Sequence, residues 1–385
     1  MQTKPVVSRA KAYLKVRQKN VRDAMKHLKL DALLLTHPPD VSYLTNFTGD
    51  SSVGLITEKD FLFVTDFRYK EQVELEAGWL KSTIRDGKME EALGKVLNEA
   101  DVTRIGFEAN FTSFGQINAI DRAIKEIREK DSKASKAPVE LVPLEDVMTK
   151  IRMVKDDHEI DLIRKSVGIA EEAFDAIRSE IKAGLTENHL AGLLTLELRS
   201  RGASDSSFPA IVAAAANSSL PHYRPSESLV QRDQPLLIDW GALYKGYCSD
   251  LTRTLSVGRV SAKIKQIYKI VLDAQTAAIK FLRPGVTTLQ ADRVARDVIT
   301  DAGFGDQFGH GLGHGIGREI HELPRMSKYK VTEEELRPGM IVTVEPGIYL
   351  PGEGGVRIED DVLITHSGCE VLSSLDRSFE GCHLE

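Results

Sequence analysis

The stretch that decides the fold is residues 236–254, Leu236-Leu-Ile-Asp-Trp-Gly-Ala-Leu-Tyr-Lys-Gly-Tyr-Cys-Ser-Asp-Leu-Thr-Arg-Thr254. Its apolar start predicts a buried strand that ends at Asp239, and a second predicted strand carries Asp250. The turn-like residues between them allow the two carboxylates to face each other across a hairpin. An ionised carboxylate at the end of a buried strand carries a large desolvation cost unless it is paired or binds a cation. Taken alone, two aspartates that cap turns are the simpler explanation.

Histidines are concentrated in a glycine-rich segment, residues 308–317, which reads Phe-Gly-His-Gly-Leu-Gly-His-Gly-Ile-Gly. His310 and His314 lie among five glycines, which permit the close backbone approach of a ligand-binding loop, and His321 follows. A single histidine in such a place is more often a core or surface group. Three within twelve residues indicate a functional site.

Two further carboxylates belong to strand-like segments. Glu345 lies in Val342–Gly347, where an apolar strand is halted by Pro-Gly. In Val356–Val362, period-two alternation places Arg357 and Glu359 on the same strand face. The alternatives are a strand-end surface glutamate and a surface ion pair. Two aspartates, a histidine and two glutamates, each beside a strand end or a glycine turn, together predict a carboxylate–histidine metal site instead.

Hydrophobic patterning divides the chain into two domains, 1–151 and 152–385. Alternating short strands and helices predict an α/β domain in the first, with a polar connection at Glu129–Pro138 before its last strand. The second begins with a helix near Asp156 and is predicted to be α+β, built on an antiparallel sheet. The predicted strands are Ala32–Leu35, Gly54–Ile56, Phe61–Thr65, Arg104–Glu108, Val139–Val142, Ala210–Ala214, Leu236–Ile238, Ser249–Leu255, Met340–Val344 and Val356–Ile364. The predicted helices include Arg68–Glu76, Glu187–Arg201, Ala262–Leu282 and Leu289–Ala302.

Composition excludes several function classes. A net charge of -6 and a pI near 6.0 argue against a surface for nucleic acid or anionic lipid. No apolar run reaches the ~20 residues that span a bilayer, and three irregularly spaced cysteines suit a reducing compartment. We therefore expect a cytoplasmic protein with a small-molecule partner. The basic first thirty residues have the composition of a transit peptide, but helical spacing from Lys11 predicts a folded helix.

Four motifs together resemble those of the pita-bread metallopeptidases: the Asp239–Thr254 stretch, Gly-His-Gly-Ile-Gly, Val-Glu-Pro-Gly and Arg-Ile-Glu-Asp. Their order and local context both match, and the most similar branch is that of the Xaa-Pro dipeptidases (prolidases) and Xaa-Pro aminopeptidases. The resemblance spans Arg152 to about Leu375 and extends more weakly over the first domain. It implies a creatinase-type α/β N-terminal domain followed by an α+β pita-bread catalytic domain with a curved antiparallel sheet.

In that family five residues bind two divalent metals, which here implies Asp239, Asp250, His314, Glu345 and Glu359 as ligands. Four crowded carboxylates would resist ionisation unless about four positive charges offset them, as two divalent cations do. Oxygen-rich ligation with one imidazole favours Mn²⁺, with Co²⁺ or Zn²⁺ as possible substitutes. The resemblance implies hydrolysis by a water or hydroxide that bridges the two metals, without a covalent enzyme intermediate.

The resemblance also implies catalytic roles for five residues. Glu345 passes a proton from the nucleophilic water to the departing proline nitrogen. His222, His310 and His321 hold the substrate and stabilise the tetrahedral oxyanion. Arg357 orients the carboxylate ligands or meets substrate charge.

The implied function is cleavage of the Xaa-Pro bond at the N-terminus of peptides, as an Xaa-Pro aminopeptidase. Phe208 and Ile211 form the prolyl pocket, or are plain core residues. The alternative is an Xaa-Pro dipeptidase, because the two activities share their chemistry and differ in how the far end of the substrate is enclosed. Methionine aminopeptidases usually lack the large N-terminal domain, and creatinase-like hydrolases work without metal.

A rival of a different class is a non-catalytic module that uses the empty cleft to bind a peptide or a protein. Such relatives normally lose metal ligands first, whereas all five are present here. The expected partners are therefore a proline-containing peptide substrate and, by resemblance, a second copy of the chain in a homodimer.

Overall fold

The computed structural model describes residues 7–131, 137–329 and 333–385. The chain separates into two compact units, Met1–Ile151 and Arg152–Glu385. Residues 132–136 of the predicted polar connection lie outside the described ranges. The elements of the first unit are α1 Ala12–His27, β1 Ala32–Leu35, α2 Pro38–Thr45, β2 Val53–Thr57, β3 Phe61–Asp66, α3 Lys70–Ala77, β4 Lys81–Arg85, α4 Met89–Glu99, β5 Arg104–Glu108, α5 Phe114–Lys130 and β6 Glu140–Leu144. The next helix, α6 Val147–Met153, includes the last residues of the first unit and the first two of the second.

The first unit is a three-layer α/β structure. Its sheet has the order β4-β3-β2-β1-β5-β6, with β2 antiparallel to both of its neighbours and the other pairs parallel. Successive residues of β1 enter different cores, because side chains alternate across a strand. Leu33 and Leu35 pack with α1, α2 and α3, whereas Ala32 and Leu34 pack with α4 and α5. This arrangement confirms the predicted α/β class.

The second unit is α+β, as predicted. Its helices are α7 Asp157–Arg178, α8 Glu187–Ser200, α9 Ala262–Phe281 and α10 Thr288–Asp301. The helix predicted near Asp156 begins with a capping box, in which Asp156 and Glu159 satisfy each other's backbone N–H groups. The strands are β7 Asp205–Ser206, β8 Ile211–Ala214, β9 Gln234–Trp240, β10 Ala242–Tyr244, β11 Tyr247–Cys248, β12 Leu251–Val257, β13 Gly313–Gly315, β14 Glu322–Met326, β15 Ile341–Val344, β16 Gly347–Leu350, β17 Gly354–Arg357, β18 Asp360–Ile364, β19 Cys369–Val371 and β20 His383–Leu384.

Two sheets of the second unit carry the candidate site. One has the order β20-β12-β9-β8 and the other β14-β13-β15-β18-β19. Their strand pairs are antiparallel except β12 with β20, which is parallel, so the predicted antiparallel sheet is correct except at this edge. An isolated bridge between Thr252 and Glu359 links the two sheets. Behind them, the Trp240 ring stacks on Phe174 with centroids 4.4 Å apart.

The single strand predicted for Val356–Ile364 is wrong, because the structure divides it between β17 and β18. The first part pairs with β16, and the second pairs with β15 in the five-stranded sheet. Between them, the Glu359 N–H donates to the carbonyl of Thr252 at 3.1 Å, outside both ladders. This break in the alternating pattern carries the chain from one sheet to the other at the candidate site.

Candidate metal centre

Antiparallel pairing of β9 and β12 places the two aspartates close together. Asp239 lies opposite Thr252, and Asp250 precedes Thr252 by two residues, immediately before β12 begins. Residues two apart on a strand share a face, so Asp250 lies on the side of the sheet that Asp239 occupies. Both residues are buried, with 7% and 5% of their surfaces exposed. The two ends of the decisive stretch therefore meet in space.

The other three predicted ligands approach Asp250 from the second sheet. One ligand atom from each of Asp250, His314 and Glu359 lies within 4.8 Å of the others. His314 Nε2 is 3.6 Å from Asp250 Oδ2 and 3.5 Å from Glu345 Oε1. Its Nδ1 lies 3.1 Å from the Gly315 carbonyl, which assigns the proton to Nδ1 and leaves Nε2 free to bind a metal.

The carboxylates of this group have the electrostatics of a cation site. Burial and neighbouring carboxylates raise the pKa of Asp250 and of Glu359 well above the usual range, because the anions lose water and repel one another. Asp239 Oδ1 and Glu359 Oε1 are buried without a hydrogen-bond donor among the described residues. Burial lowers the pKa of His314 to about 3, so its imidazole is neutral, as a metal ligand must be. The residues thus fit a divalent cation.

Arg357 occupies the other side of the aspartate pair. Its Nη2 donates to Asp239 Oδ2 at 2.5 Å, and its Nε donates to the Thr252 hydroxyl at 3.2 Å. The same hydroxyl donates to Glu359 Oε2 at 2.6 Å, so Arg357 and Glu359 meet at Thr252. Asp239 is therefore held by a guanidinium through one oxygen and has its second oxygen free for a metal.

His310 is engaged by Tyr349, a residue that the sequence analysis missed. His310 Nδ1 lies 2.8 Å from the Gly311 carbonyl, which assigns the proton to Nδ1. Nε2 then accepts from the Tyr349 hydroxyl at 2.8 Å, and that hydroxyl accepts from Arg357 Nη1 at 2.9 Å. Burial lowers the pKa of His310 to about 4, so the ring is neutral near pH 7. In this arrangement His310 Nε2 accepts a hydrogen bond from Tyr349. To donate to an oxyanion, Nε2 would have to carry the proton and lose this hydrogen bond from the Tyr349 hydroxyl.

The other two predicted histidines lie around the same group. The His321 ring meets the His314 ring edge-on, with centroids 4.3 Å apart, and His321 is exposed. His222 is also exposed. Burial is the largest cause that lowers the pKa of His310 and of His321, and His222 contributes further to both. Both rings are thus accessible to solvent.

The two predicted pocket residues differ in their positions. Ile211 pairs with Asp239 across β8 and β9 and belongs to an apolar group with Ala213, Leu237 and Tyr223. This group continues the face that carries the aspartate. Phe208 is half-buried in the segment before β8.

Arg325 is a second residue that the sequence analysis missed. It lies directly opposite His314 in the β13–β14 pair, and such pairs share a face of the sheet. Its side chain is exposed, and its guanidinium has no hydrogen bond or ion pair with any described residue. After burial and the charge of His321, its charge also contributes to lowering the pKa of His314. The Arg325 guanidinium is therefore free to bind a ligand beside the candidate metal centre.

Two further polar side chains, Thr343 and Asp361, complete the surroundings and also escaped sequence analysis. Thr343 Oγ1 donates to Glu345 Oε1 at 3.3 Å and accepts from the His314 backbone N–H at 3.1 Å. Asp361 Oδ2 accepts from the Asp250 backbone N–H at 3.0 Å. Thr343 and Asp361 are opposite each other in the β15–β18 pair. The only sequence signal for them was the period-two alternation of these strands.

Buried carboxylates and one neutral histidine at the junction of two sheets in an α+β domain define a candidate site for divalent metal. The chain belongs to metallopeptidase family M24, whose model matches residues 161–366, and the model of the creatinase/prolidase N-terminal domain matches residues 17–154. Comparison thus shows the family that the four motifs indicated.

Three relatives illustrate this membership. The chain is 35% identical to an Xaa-Pro dipeptidase of Pyrococcus horikoshii over 366 residues, 93% of this chain and 97% of that protein. A solved Xaa-Pro dipeptidase from Bacillus anthracis is 38% identical, with a TM-score of 0.89 over 96% of this chain and all of that one. An X-Pro aminopeptidase from Thermotoga maritima is 36% identical, with a TM-score of 0.84 over 94% of this chain and 98% of that one.

Among the described residues, no helix is both long enough and apolar enough to cross a bilayer.

Proposed function

We propose that the protein is a dinuclear metallopeptidase that hydrolyses the Xaa-Pro bond, with Asp239, Asp250, His314, Glu345 and Glu359 as metal ligands. The observation that carries the proposal is the buried group of Asp250, His314 and Glu359, whose ligand atoms lie within 4.8 Å of one another. Four carboxylates around one histidine favour two hard divalent ions, and we propose Mn²⁺. When bound, the metals supply Lewis-acid polarisation of the scissile carbonyl and lower the pKa of water.

The chemistry of the Xaa-Pro bond sets what the side chains must do. The proline nitrogen carries no hydrogen in the peptide, so it must gain a proton to leave as a secondary amine. Glu345 is held by the Thr343 hydroxyl at 3.3 Å and lies 3.5 Å from His314. We assign to it the transfer of a proton from the attacking water to that nitrogen. His222 and His321 are assigned to the substrate and its oxyanion, and Arg357 to fixing Asp239.

The proline ring is assigned to the apolar group beside Asp239. Ile211 lies opposite this aspartate, and Tyr223 packs on the same group. A rigid apolar ring seated here would place its peptide bond next to the carboxylates. Phe208 remains a prediction for this pocket, since it lies outside the group formed by Ile211, Ala213, Leu237 and Tyr223.

Arg325 favours a dipeptide as the substrate. In an Xaa-Pro dipeptide the proline ends in a free carboxylate, and a guanidinium binds a carboxylate with two parallel hydrogen bonds. We assign the free guanidinium of Arg325, which lies opposite His314, to that carboxylate. The sequence alone favoured an aminopeptidase, whereas this arginine supports the Xaa-Pro dipeptidase alternative, and we propose the latter as the main activity.

Purified enzyme loaded with Mn²⁺ tests this choice. We expect Ala-Pro to be hydrolysed with a kcat/KM well above that of Ala-Pro-Ala or Ala-Pro amide, which lack the proline carboxylate. Equal or faster cleavage of the tripeptide would restore the aminopeptidase assignment. Cleavage of none of the three, by enzyme shown to contain metal, would favour the non-catalytic binding module.

Replacement of Arg325 by glutamine separates the two activities further. We expect kcat/KM for Ala-Pro to fall about 10- to 100-fold, since a hydrogen bond to a charged group contributes about 1.5–3 kcal/mol. Cleavage of Ala-Pro amide should change little, because that substrate has no carboxylate to lose. Lys328→Gln, at an exposed position two residues beyond β14, is the matched control. A parallel loss with both substrates would show that Arg325 does not read the carboxylate.

The homodimer and the cytoplasmic location implied at the outset stay predictions. Light scattering of the purified chain at micromolar concentration checks the first. A mass of twice 42.6 kDa is expected, and a single-chain mass would remove the homodimer from the proposal.

A further inference from the structure

Glu187 is a buried carboxylate that the proposed mechanism does not use. It is the first residue of α8, and none of its surface is exposed. No basic side chain forms an ion pair with it among the described residues. Burying an anion without a cation is unfavourable unless hydrogen bonds replace the lost water. The position at a helix N-terminus offsets part of that cost.

Hydrogen bonds to Glu187 come from both ends of one loop, residues 214–226. At the first end, the Ala214 N–H donates to Oε1 at 2.8 Å, and the Asn217 side chain donates to the same oxygen at 2.9 Å. At the other end, the Ser226 N–H and hydroxyl donate to Oε2 at 3.1 and 2.9 Å. The Tyr223 hydroxyl donates to Oε2 at 2.9 Å. One carboxylate thus closes the loop and satisfies five donors.

The loop that Glu187 closes forms part of the candidate site. It carries His222, and the carbonyl of Pro221 lies 3.4 Å from Arg357 Nη1. The Tyr223 ring packs on the apolar group of Ile211, which we assigned to the proline ring. The Ser218 hydroxyl accepts from the Gly355 N–H at 2.8 Å, at the start of the strand that ends with Arg357.

We propose that Glu187 is a positioning residue for substrate binding, because its carboxylate fixes the 214–226 loop and so places His222 and Tyr223 before the substrate arrives. This inference rests on the proposed function. Glutamine in its place keeps the shape but offers one acceptor oxygen where five donors converge. Its amide NH₂ would face donors such as the Ser226 N–H. The two ends of the loop would then be held together less tightly. The metal ligands lie on other elements and should keep their positions.

The test compares Glu187→Gln with Glu197→Gln, a change on the same helix at a side chain that is 30% exposed and pairs with Arg201. Hydrogen exchange of the metal-loaded enzyme, kcat and KM for Ala-Pro, and the Kd for Mn²⁺ are measured for both. For Glu187→Gln we expect exchange in 215–226 and KM to rise about tenfold or more, with kcat and the Kd for Mn²⁺ within about threefold. The control should match wild type in all four.

The outcomes separate the two proposals. Inactive wild-type enzyme would overturn the proposed function, whereas active wild-type enzyme with an unchanged KM in Glu187→Gln overturns only the role of Glu187. An equal loss of Mn²⁺ affinity would show a general structural role and also overturn it. If Glu187→Gln does not fold, Tyr223→Phe removes one donor and keeps the ring. A smaller rise in loop exchange and KM then supports the proposal, and no rise in either contradicts it.

Discussion

Removal of divalent metal by a chelator is expected to abolish hydrolysis of Ala-Pro, and added Mn²⁺ is expected to restore it. The loss should reach about 10³-fold or more, since metal polarisation supplies several kcal/mol of transition-state stabilisation. The physical reason lies in Asp250 and Glu359, whose ionised forms are disfavoured by burial and by the surrounding carboxylates. Without cations the crowded carboxylates repel one another, and nothing polarises the scissile carbonyl. Chelator-resistant activity would contradict the metal-dependent mechanism.

A pair of histidine variants assigns the effect to this site. His314→Ala removes the imidazole whose Nε2 faces Asp250 and Glu345. Its activity and Mn²⁺ affinity should fall together, and excess Mn²⁺ should restore little of either. His366→Ala, at an exposed histidine of the same unit, should behave as wild type. Calorimetric titration of the metal-free enzyme also gives the stoichiometry: two ions per chain are expected, and one would require a mononuclear centre.

The sequence predicted the first unit best where strands are buried on both faces. Ala32–Leu35 and Arg104–Glu108 have the predicted bounds, because both are interior strands of the sheet whose residues are almost all buried, which leaves little freedom of register. β4, Lys81–Arg85, was missed because it is an edge strand with polar side chains, three of them exposed. The pairing of β4 with β3 depends on the rest of the sheet, and no local sequence pattern predicts it.

The candidate site likewise has residues that the local sequence predicts and residues that only long-range contacts reveal. Each candidate ligand was visible because a carboxylate or imidazole beside a strand end or a tight turn is unusual in itself. Their supporting partners were invisible, because these contacts join strands distant in sequence. Tyr349 is 39 residues from His310, and Thr252 is 107 residues from Glu359. An ordinary threonine or tyrosine on a buried strand gives no signal until the sheets are assembled.

Replacement of Arg253 by methionine is expected to lower the free energy of unfolding by about 3–5 kcal/mol, the usual cost of breaking a buried ion pair from one side. Arg253 and Asp360 are both about 1% exposed, and Nη2 donates to Asp360 Oδ1 at 2.7 Å. Asp360 retains hydrogen bonds from Ser373 and Gln275, but these are neutral donors. The variant would therefore leave the buried anion with a single cation, the partly exposed Arg377, whose Nη1 lies 3.6 Å from Asp360 Oδ2.

The same arginine ties together the two sheets that carry the candidate ligands. Its Nη1 donates to the carbonyls of Thr252 and Glu359 at 2.9 and 2.6 Å, on the side of the strands opposite the site. Gln275 extends the link, because its amide donates to Asp360 Oδ2 at 2.9 Å and to the Val344 carbonyl at 3.2 Å, next to Glu345. Loss of Arg253 should therefore also weaken Mn²⁺ binding, although it touches no ligand side chain.

Urea unfolding and calorimetric Mn²⁺ titration measure the two effects, with Arg293→Met as the surface control. Arg293 is 78% exposed and pairs with Asp297 at 3.5 Å, so its loss should change stability little. The double variant Arg253→Met, Asp360→Leu also removes the buried carboxylate and should recover much of the stability. It should not recover Mn²⁺ affinity, because the bonds to the Thr252 and Glu359 carbonyls are still missing. Full recovery of both would show that Arg253 stabilises the fold without setting the position of Glu359.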